Sequence, residues 1–213
     1  MKSLKEKAYE EIKELIISGK LKTNERIDED FLSKSLQVSR TPVREAINKL
    51  EQEGWISIVP RKGMFVKNIS IKEINDIFQV RSNLEPLILK MAFYKIDKNY
   101  LLGLKNKFLE FTNKEILTSE EKQNLDNLDN ELHIFILKNC ANDYIIKMME
   151  NVYEHNMRIR NLSPQPPVRR FEAIKEHMNI IDFILNDNLD DAIEELKNHN
   201  LKAKEGFFYS LID

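Results

Sequence analysis

Apolar residues recur every three or four positions along most of the chain, which is the spacing of helices that bury one face. In the first part this spacing predicts helices over residues 3–18, over 27–36 and within 38–55. A three-residue turn separates the last two, so the pattern is that of a helix-turn-helix. We expect Asp28 to cap the second helix, Ser39 or Thr41 to cap the third, and Gly54 to end it.

The pattern changes from helical spacing to alternation in the segment WISIVPRKGMFVKN, residues 55–68. Ile56, Ile58, Met64 and Val66 alternate with other residues on either side of PRKG. This predicts a β-hairpin with a basic tip. A basic hairpin directly after a helix-turn-helix indicates a wing.

Helical spacing returns after residue 70 and continues to the end of the chain. It predicts six helices with short breaks, near 71–95, 97–117, 119–139, 142–162, 167–186 and 190–210. The proline-rich segment 161–170 indicates a fixed connector. The fold class is therefore predicted to be mainly α, with a winged helix-turn-helix over residues 1–68 and an all-α antiparallel bundle over 69–213.

The charge distribution favours DNA binding by the first of these domains. The whole chain of 213 residues has a net charge of −2, but basic residues outnumber acidic ones up to Lys67 and the remainder is acidic. The single cysteine, Cys140, rules out an intrachain disulfide. No apolar run is long enough for a membrane span or a signal peptide, so a cytoplasmic protein without a membrane partner is expected.

Candidate DNA-binding residues lie at the entrance of the third helix and at the tip of the wing. A helix N-terminus attracts anions through its free N–H groups and its dipole, and in a helix-turn-helix this end enters the major groove. Basic residues on the wing can contact phosphates. The predicted set is Arg40, Thr41, Pro42, Arg44, Arg61, Lys62 and Gly63.

Histidines suggest a metal site in the second domain. Asp129 and His133 are four residues apart, hence on one helical face. His177 and His199 each lie 11 residues from the break near residue 188, so in an antiparallel pair they would be at equal height. One aspartate and three histidines suit zinc, nickel, manganese or iron. The alternative is that these residues only stabilise the bundle. The fourth histidine, His155, is interpreted as an ordinary surface or core residue outside the cluster.

The two parts resemble the winged helix-turn-helix of GntR-type bacterial transcription regulators and the FCD ligand-binding domain of the FadR subgroup. The segment SRTPVREA carries the first resemblance most specifically, and LDNELHIFILKNCAND with IKEHMNIIDFILNDNLDDAIEELKNH carries the second. Six C-terminal helices suggest the shorter, VanR-like version. The resemblance implies a homodimer that binds a short palindromic operator in double-stranded DNA.

The resemblance also assigns residues. Arg40, Thr41, Arg44 and Gly63 match operator-contacting positions, whereas Asp30 stands where members commonly carry a basic residue. The divalent-metal positions are matched by Asp129, His133, His177 and His199. A small carboxylate effector is expected at the metal. Arginines match carboxylates bidentately, so the candidate effector ligands are Arg81, Arg158 and Arg160.

The sequence therefore predicts a transcription regulator, a repressor in the more common case, whose operator binding responds to a small carboxylate at a divalent metal such as zinc, nickel or manganese. Two alternatives remain open from the residues. One is a regulator that senses the metal itself. The other is a metalloenzyme fused to a DNA-binding head, although no obvious general base accompanies the cluster.

Overall fold

A computed structural model describes residues 2–162 and 166–209. The chain forms two compact units, Met1–Ser70 and Ile71–Asp213, and each is described by itself. The division falls close to the boundary expected after residue 68. None of the described helices is long and apolar enough to cross a membrane.

The first unit is a winged helix-turn-helix, as predicted. Its elements are α1 (Leu4–Ile17), α2 (Glu29–Ser35), α3 (Arg40–Gln52), β1 (Ile56–Val59) and β2 (Gly63–Val66). The two strands pair antiparallel, with Ile56 opposite Val66 and Ile58 opposite Met64. The two segments of alternating residues therefore form the predicted hairpin, and the structure gives its register.

Local signals explain where the helices of the first unit begin and end. The side chain of Asp28 accepts hydrogen bonds from the backbone N–H groups of Asp30 and Phe31, and so caps α2 as predicted. Ser39 occupies the capping position of α3, but its side chain makes no capping hydrogen bond. After α3 the chain turns at Gly54, whose φ of +82° suits glycine.

The core of the first unit comes from the predicted apolar faces. The side chains of Val43, Ala46, Ile47 and Leu50 in α3 are buried, as is Trp55 just before β1. The helical spacing over residues 3–18 groups Leu4 with Ala8 and Ile12, which are buried, but Leu4 in the first turn of α1 is exposed.

The second unit contains six α-helices within its described residues, as predicted. They are α4 (Ile71–Ala92), α5 (Lys98–Thr112), α6 (Ser119–Lys138), α7 (Asp143–Leu162), α8 (Pro167–Leu185) and α9 (Leu189–Tyr209). A short 3-10 turn, Phe93–Lys95, follows α4. Part of the predicted connector, residues 163–165, lies outside the described residues, as does residue 210 of the last predicted helix. Pro167 opens α8.

One predicted helix was too long. Helix α5 ends at Thr112, not near residue 117. Thr118 and Glu121 form a capping box that starts α6, so the chain needs a connection before it. In that connection Leu117 is buried against the core of the bundle. Helix α5 therefore ends earlier than the spacing of apolar residues suggests, with Asn113 as its C-terminal capping residue, and the capping box marks the separate start of α6.

Candidate functional site

The predicted DNA-contacting residues are brought to two exposed places in the first unit. Arg40, Thr41 and Arg44 are exposed in the first turns of α3, with Pro42 half-buried among them. Because Ser39 supplies no side-chain cap, the N–H groups of this helix start remain available to an anion.

The wing carries the other predicted contacts. Arg61 and Lys62 are exposed at the tip of the hairpin. Gly63 has a φ of +118°, and a Cβ there would meet the Nε atom of Arg26 at 3.1 Å, so only glycine fits without strain. Arg26 is also exposed beside the wing and was not predicted from the sequence.

The arginines of α3 are held by acidic residues of α2. The fork of Arg40 pairs with Asp30, with Nε to Oδ1 at 2.6 Å and Nη2 to Oδ2 at 2.8 Å. Arg44 donates from Nε to both carboxylate oxygens of Glu29, at 2.9 and 3.1 Å. All of these side chains except that of Glu29 are more than half exposed.

In the second unit, the four predicted metal ligands come together in the buried centre of the bundle. Asp129 and His133 come from α6, His177 from α8 and His199 from α9. One potential ligand atom from each lies within 4.8 Å of the others. The rings of His177 and His199 are 4.3 Å apart between centroids. Their equal distance from the α8–α9 turn predicts this meeting.

Two carboxylates orient the histidines, and neither was identified from the sequence. Glu176 Oε2 lies 2.9 Å from Nδ1 of His199, and Glu85 Oε2 lies 3.3 Å from Nδ1 of His133. An ionised carboxylate only accepts hydrogen bonds, so each Nδ1 carries the proton and each Nε2 keeps its lone pair. Both Nε2 atoms are buried and lack a hydrogen-bond partner.

The ring of His177, beside the fourth ligand Asp129, also has nitrogens without a hydrogen-bond partner. His177 Nε2 is 3.0 Å from Asp129 Oδ1, yet neither ring nitrogen of His177 makes an aligned hydrogen bond. Two atoms that bind one ion at right angles, with bonds of about 2.1 Å, would be about 3.0 Å apart. Buried nitrogens without partners are costly, so the donor set fits a divalent metal.

The electrostatics keep the cluster in the form that binds a cation. Burial disfavours the charged ring and lowers the pKa of His177 and, more strongly, that of His199. Burial alone would raise the pKa of Asp129, but Arg160 and His177 outweigh it and hold that pKa well below its usual range. Neutral imidazoles and an ionised carboxylate are the forms that ligate metals.

A small cavity of about 50 Å³ adjoins the cluster. That volume holds a few water-sized groups, since one takes about 10–15 Å³. Its walls are largely apolar, and four arginines also line it. The lining includes Phe78, Leu125, Ile159, Ile174, Phe207, Arg81, Arg160, Arg169 and Arg170.

Of the three arginines predicted to bind an effector, the structure brings two to this cavity. Arg160 pairs with Asp129 at 2.5 Å. Arg81 is fully buried and donates to Glu85, Asn156 and Asn200. Arg158 is not among the lining residues, and its burial lowers its pKa to about 10.

Arg169 and Arg170 were not identified from the sequence as cavity residues, because it is the packing of α8 in the bundle that brings them there. They are the last two residues of the proline-rich segment 161–170, and they lie in the first turn of α8. Arg169 forms a bidentate pair with Glu176, at 2.7 and 3.0 Å, and Arg170 pairs with Asp126 of α6 at 2.9 Å. The seven-residue spacing of Arg169 and Glu176, two helical turns, was the available signal.

Comparison with known proteins agrees with both units. The family model described as bacterial regulatory proteins, gntR family, matches residues 4–66, and the FCD domain model matches residues 76–202. The transcriptional regulator YdhC of Bacillus subtilis is 30% identical over 194 residues, which are 90% of this chain and 85% of that protein. The transcriptional repressor GlaR of Escherichia coli is 24% identical and covers 91% of this chain and 90% of its own.

Solved structures share the fold. Escherichia coli McbR/YncC has a TM-score of 0.82 at 18% identity, over 99% of this chain and 100% of its own. The metal-free FCD domain of TM0439 has a TM-score of 0.58 at 23% identity, over 68% of this chain and 98% of its own. The mainly α fold class is thereby confirmed.

Proposed function

The chain belongs to the gntR family of bacterial regulatory proteins and carries an FCD domain, and from this premise we propose that it is a repressor controlled by a small carboxylate at a divalent metal. Membership makes it a DNA-binding transcription regulator and not an enzyme, which removes the metalloenzyme alternative. The repressor role is supported by the name of the relative GlaR.

We assign operator binding to residues 1–68, and effector binding and dimerisation to residues 69–213. A homodimer would present two copies of α3 to a palindromic operator. In each copy Arg40, Thr41 and Arg44 would enter the major groove, and Arg61 and Lys62 would contact phosphates beside it. The exposure of these side chains supports the assignment.

The single observation that carries the metal proposal is the cluster of four buried ligand atoms within 4.8 Å. Asp129, His133, His177 and His199 would hold the ion, and Glu85 and Glu176 would fix the tautomers of two of the histidines. Zinc, nickel and manganese are the candidates for such a nitrogen-rich set. A bound ion would supply a positive charge that attracts an anionic ligand.

The charge balance around the cavity supports an anionic effector. Each lining arginine already pairs with a carboxylate, so these groups cancel one another. The pairs are Arg81 with Glu85, Arg160 with Asp129, Arg169 with Glu176 and Arg170 with Asp126. A divalent ion would then be the uncompensated charge of the site. The small volume and the apolar walls favour a compact carboxylate.

Helix α4 offers a route from the site to the DNA-binding unit. Glu85 of α4 touches the ligand His133, and Arg81 of the same helix ties it to Asn156 of α7 and Asn200 of α9. The helix begins at Ile71, directly after the first unit ends. A shift of α4 would be passed along the chain to the operator-binding heads, provided that the effector binds the two arrangements unequally.

Elemental analysis of the purified protein, free of affinity-tag histidines, tests the metal. We expect about one divalent ion per chain in the wild type and in a His155→Ala control, because the one cluster can hold one ion. We expect none in His177→Ala, because that variant lacks one of the four ligands. Absence of metal from the wild type after incubation with zinc, nickel or manganese would contradict the proposal.

The effector is tested on the metal-loaded protein with a panel of small mono- and dicarboxylates and their uncharged amides. We expect carboxylates alone to raise the unfolding temperature, since ligands that bind the folded state stabilise it. Those carboxylates should also change operator affinity. If operator affinity instead follows free metal with every carboxylate absent, the protein is a metal sensor, which is the second candidate.

A further inference from the structure

The acidic residues at the start of α2 face the same surface as the operator-reading arginines of α3. Asp30 binds the fork of Arg40 through both carboxylate oxygens, and Glu29 binds Nε of Arg44. Arg40 and Arg44 are four residues apart, so they lie on one face of the helix. Both arginines of α3 that would approach DNA therefore already have an anionic partner.

Helix capping does not require these two side chains. Asp28 supplies the cap of α2 through hydrogen bonds from the backbone of Asp30 and Phe31. The carboxylates of Glu29 and Asp30 are instead directed to α3. Negative charge in this first turn favours the dipole of α2 at any side-chain orientation, but it does not account for the paired geometry with the two arginines of α3.

We propose that Asp30 and Glu29 are specificity-determining residues, which restrain Arg40 and Arg44 from binding DNA of arbitrary sequence. A generic phosphate contact must replace the ion pair while the displaced carboxylate stays close to the phosphates and repels them. A bidentate contact with a guanine edge gives about five- to 150-fold discrimination. An exposed ion pair contributes only about two- to fivefold. The correct sequence therefore releases the arginines, and a wrong sequence does not.

This inference rests on the proposed contact of Arg40 and Arg44 with DNA. It predicts that loss of the carboxylate strengthens generic binding, since the freed guanidinium becomes available to a phosphate. Each additional phosphate contact steepens the dependence of log affinity on log salt by about 0.9. The salt slope therefore separates a released arginine from a mere change in net charge.

The experiment compares the full-length wild type with Asp30→Asn, Glu29→Gln and Glu45→Gln. Fluorescence anisotropy measures the affinity of each protein for a short DNA duplex of arbitrary sequence over a series of salt concentrations. Glu45 is a matched control, because it lies on α3 and its carboxylate pairs with Lys5 of α1, at 3.5 Å, and not with Arg40 or Arg44. We expect Asp30→Asn and Glu29→Gln to bind about two- to fivefold more tightly at low salt, with a steeper slope than Glu45→Gln.

Arg40→Ala, alone and combined with Asp30→Asn, separates this inference from the function on which it rests. The tighter binding of Asp30→Asn should disappear in the double variant. If Arg40→Ala weakens binding but Asp30→Asn behaves like Glu45→Gln or binds more weakly than wild type, the restraint is refuted and the DNA contact stands. If Arg40→Ala leaves the binding of the wild type unchanged and the double variant binds as Asp30→Asn does, then Arg40 contributes to binding in neither background and the DNA contact itself is wrong.

Discussion

Replacing Glu176 by glutamine would remove one charge from the support of the metal-ligand cluster while keeping the size of the side chain. The carboxylate accepts hydrogen bonds from His199 at 2.9 Å and from Arg169 at 2.7 and 3.0 Å. Glutamine has one oxygen and one NH2 group. Its NH2 group would therefore face a donor on either Arg169 or His199.

The expected loss follows from the tautomer of His199. In the wild type, Glu176 requires a proton on Nδ1 and so leaves the Nε2 lone pair for a metal. With an amide beside Nδ1 the ring can move its proton to Nε2, where it blocks ligation. Changes to groups that support metal ligands typically cost 10–100-fold in metal affinity, which corresponds to about 1.4–2.7 kcal/mol. We expect Glu176→Gln to fall in this range.

Competition against a chromophoric chelator measures the affinity, and circular dichroism of the metal-free variants tests whether the helices remain folded. Glu194→Gln is a suitable control, because Glu194 is an exposed residue of the same helix as His199 and its removal changes the net charge equally. A folded Glu176→Gln protein with the affinity of the control would show that Glu176 does not position His199. The argument from tautomers would then be wrong.

Three further outcomes are expected. Arg44→Ala should weaken operator binding by about 1–3 kcal/mol, and an unchanged affinity would refute the assignment of α3 to the major groove. The metal-free protein should lose stability as pH falls below about 6.5, because burial lowers the pKa of His177 and His199 and the unfolded chain then binds more protons than the folded one. The loss of stability is at most about 1.4 kcal/mol per pH unit for each histidine. A urea midpoint that stays level or rises on acidification would contradict this. Phe108→Ala should destabilise the bundle by about 3–5 kcal/mol, since Phe108 is fully buried and its ring centroid lies 5.1 Å from that of His177, whereas the exposed neighbour Leu109 should tolerate alanine in the same unfolding assay.

Several features depended on short segments of the chain, and these could be predicted from the sequence. Helical spacing, the cap at Asp28 and the stop at Gly54 are properties of a few consecutive residues, so the elements of the winged helix-turn-helix were found with nearly correct ends. His177 and His199 could be paired for a similar reason. They flank one short turn, and equal numbers of helical residues on each side bring them to the same height.

The partners of those residues were decided by the tertiary structure. Glu85 and Glu176 could be recognised as supports of the histidines only after α4, α6, α8 and α9 were packed together. The sequence also could not predict which arginine side chains point to the cavity, since neighbouring positions on a helix point to different sides. Arg160 therefore reaches Asp129, whereas Arg158, two residues earlier, is not part of the cavity lining.

The sequence alone thus determined the local elements, the fold class and the residue types of both candidate sites, because periodicity, caps and turns act over a few residues. Only the folded chain decided which charged groups neutralise one another. In the sequence, Asp30 was notable only because related regulators commonly carry a basic residue at that position. The structure shows that it pairs with Arg40. A pairing of this kind joins different helices, and its distances follow from packing that no local pattern encodes, unlike the pair of Arg81 and Glu85 within α4.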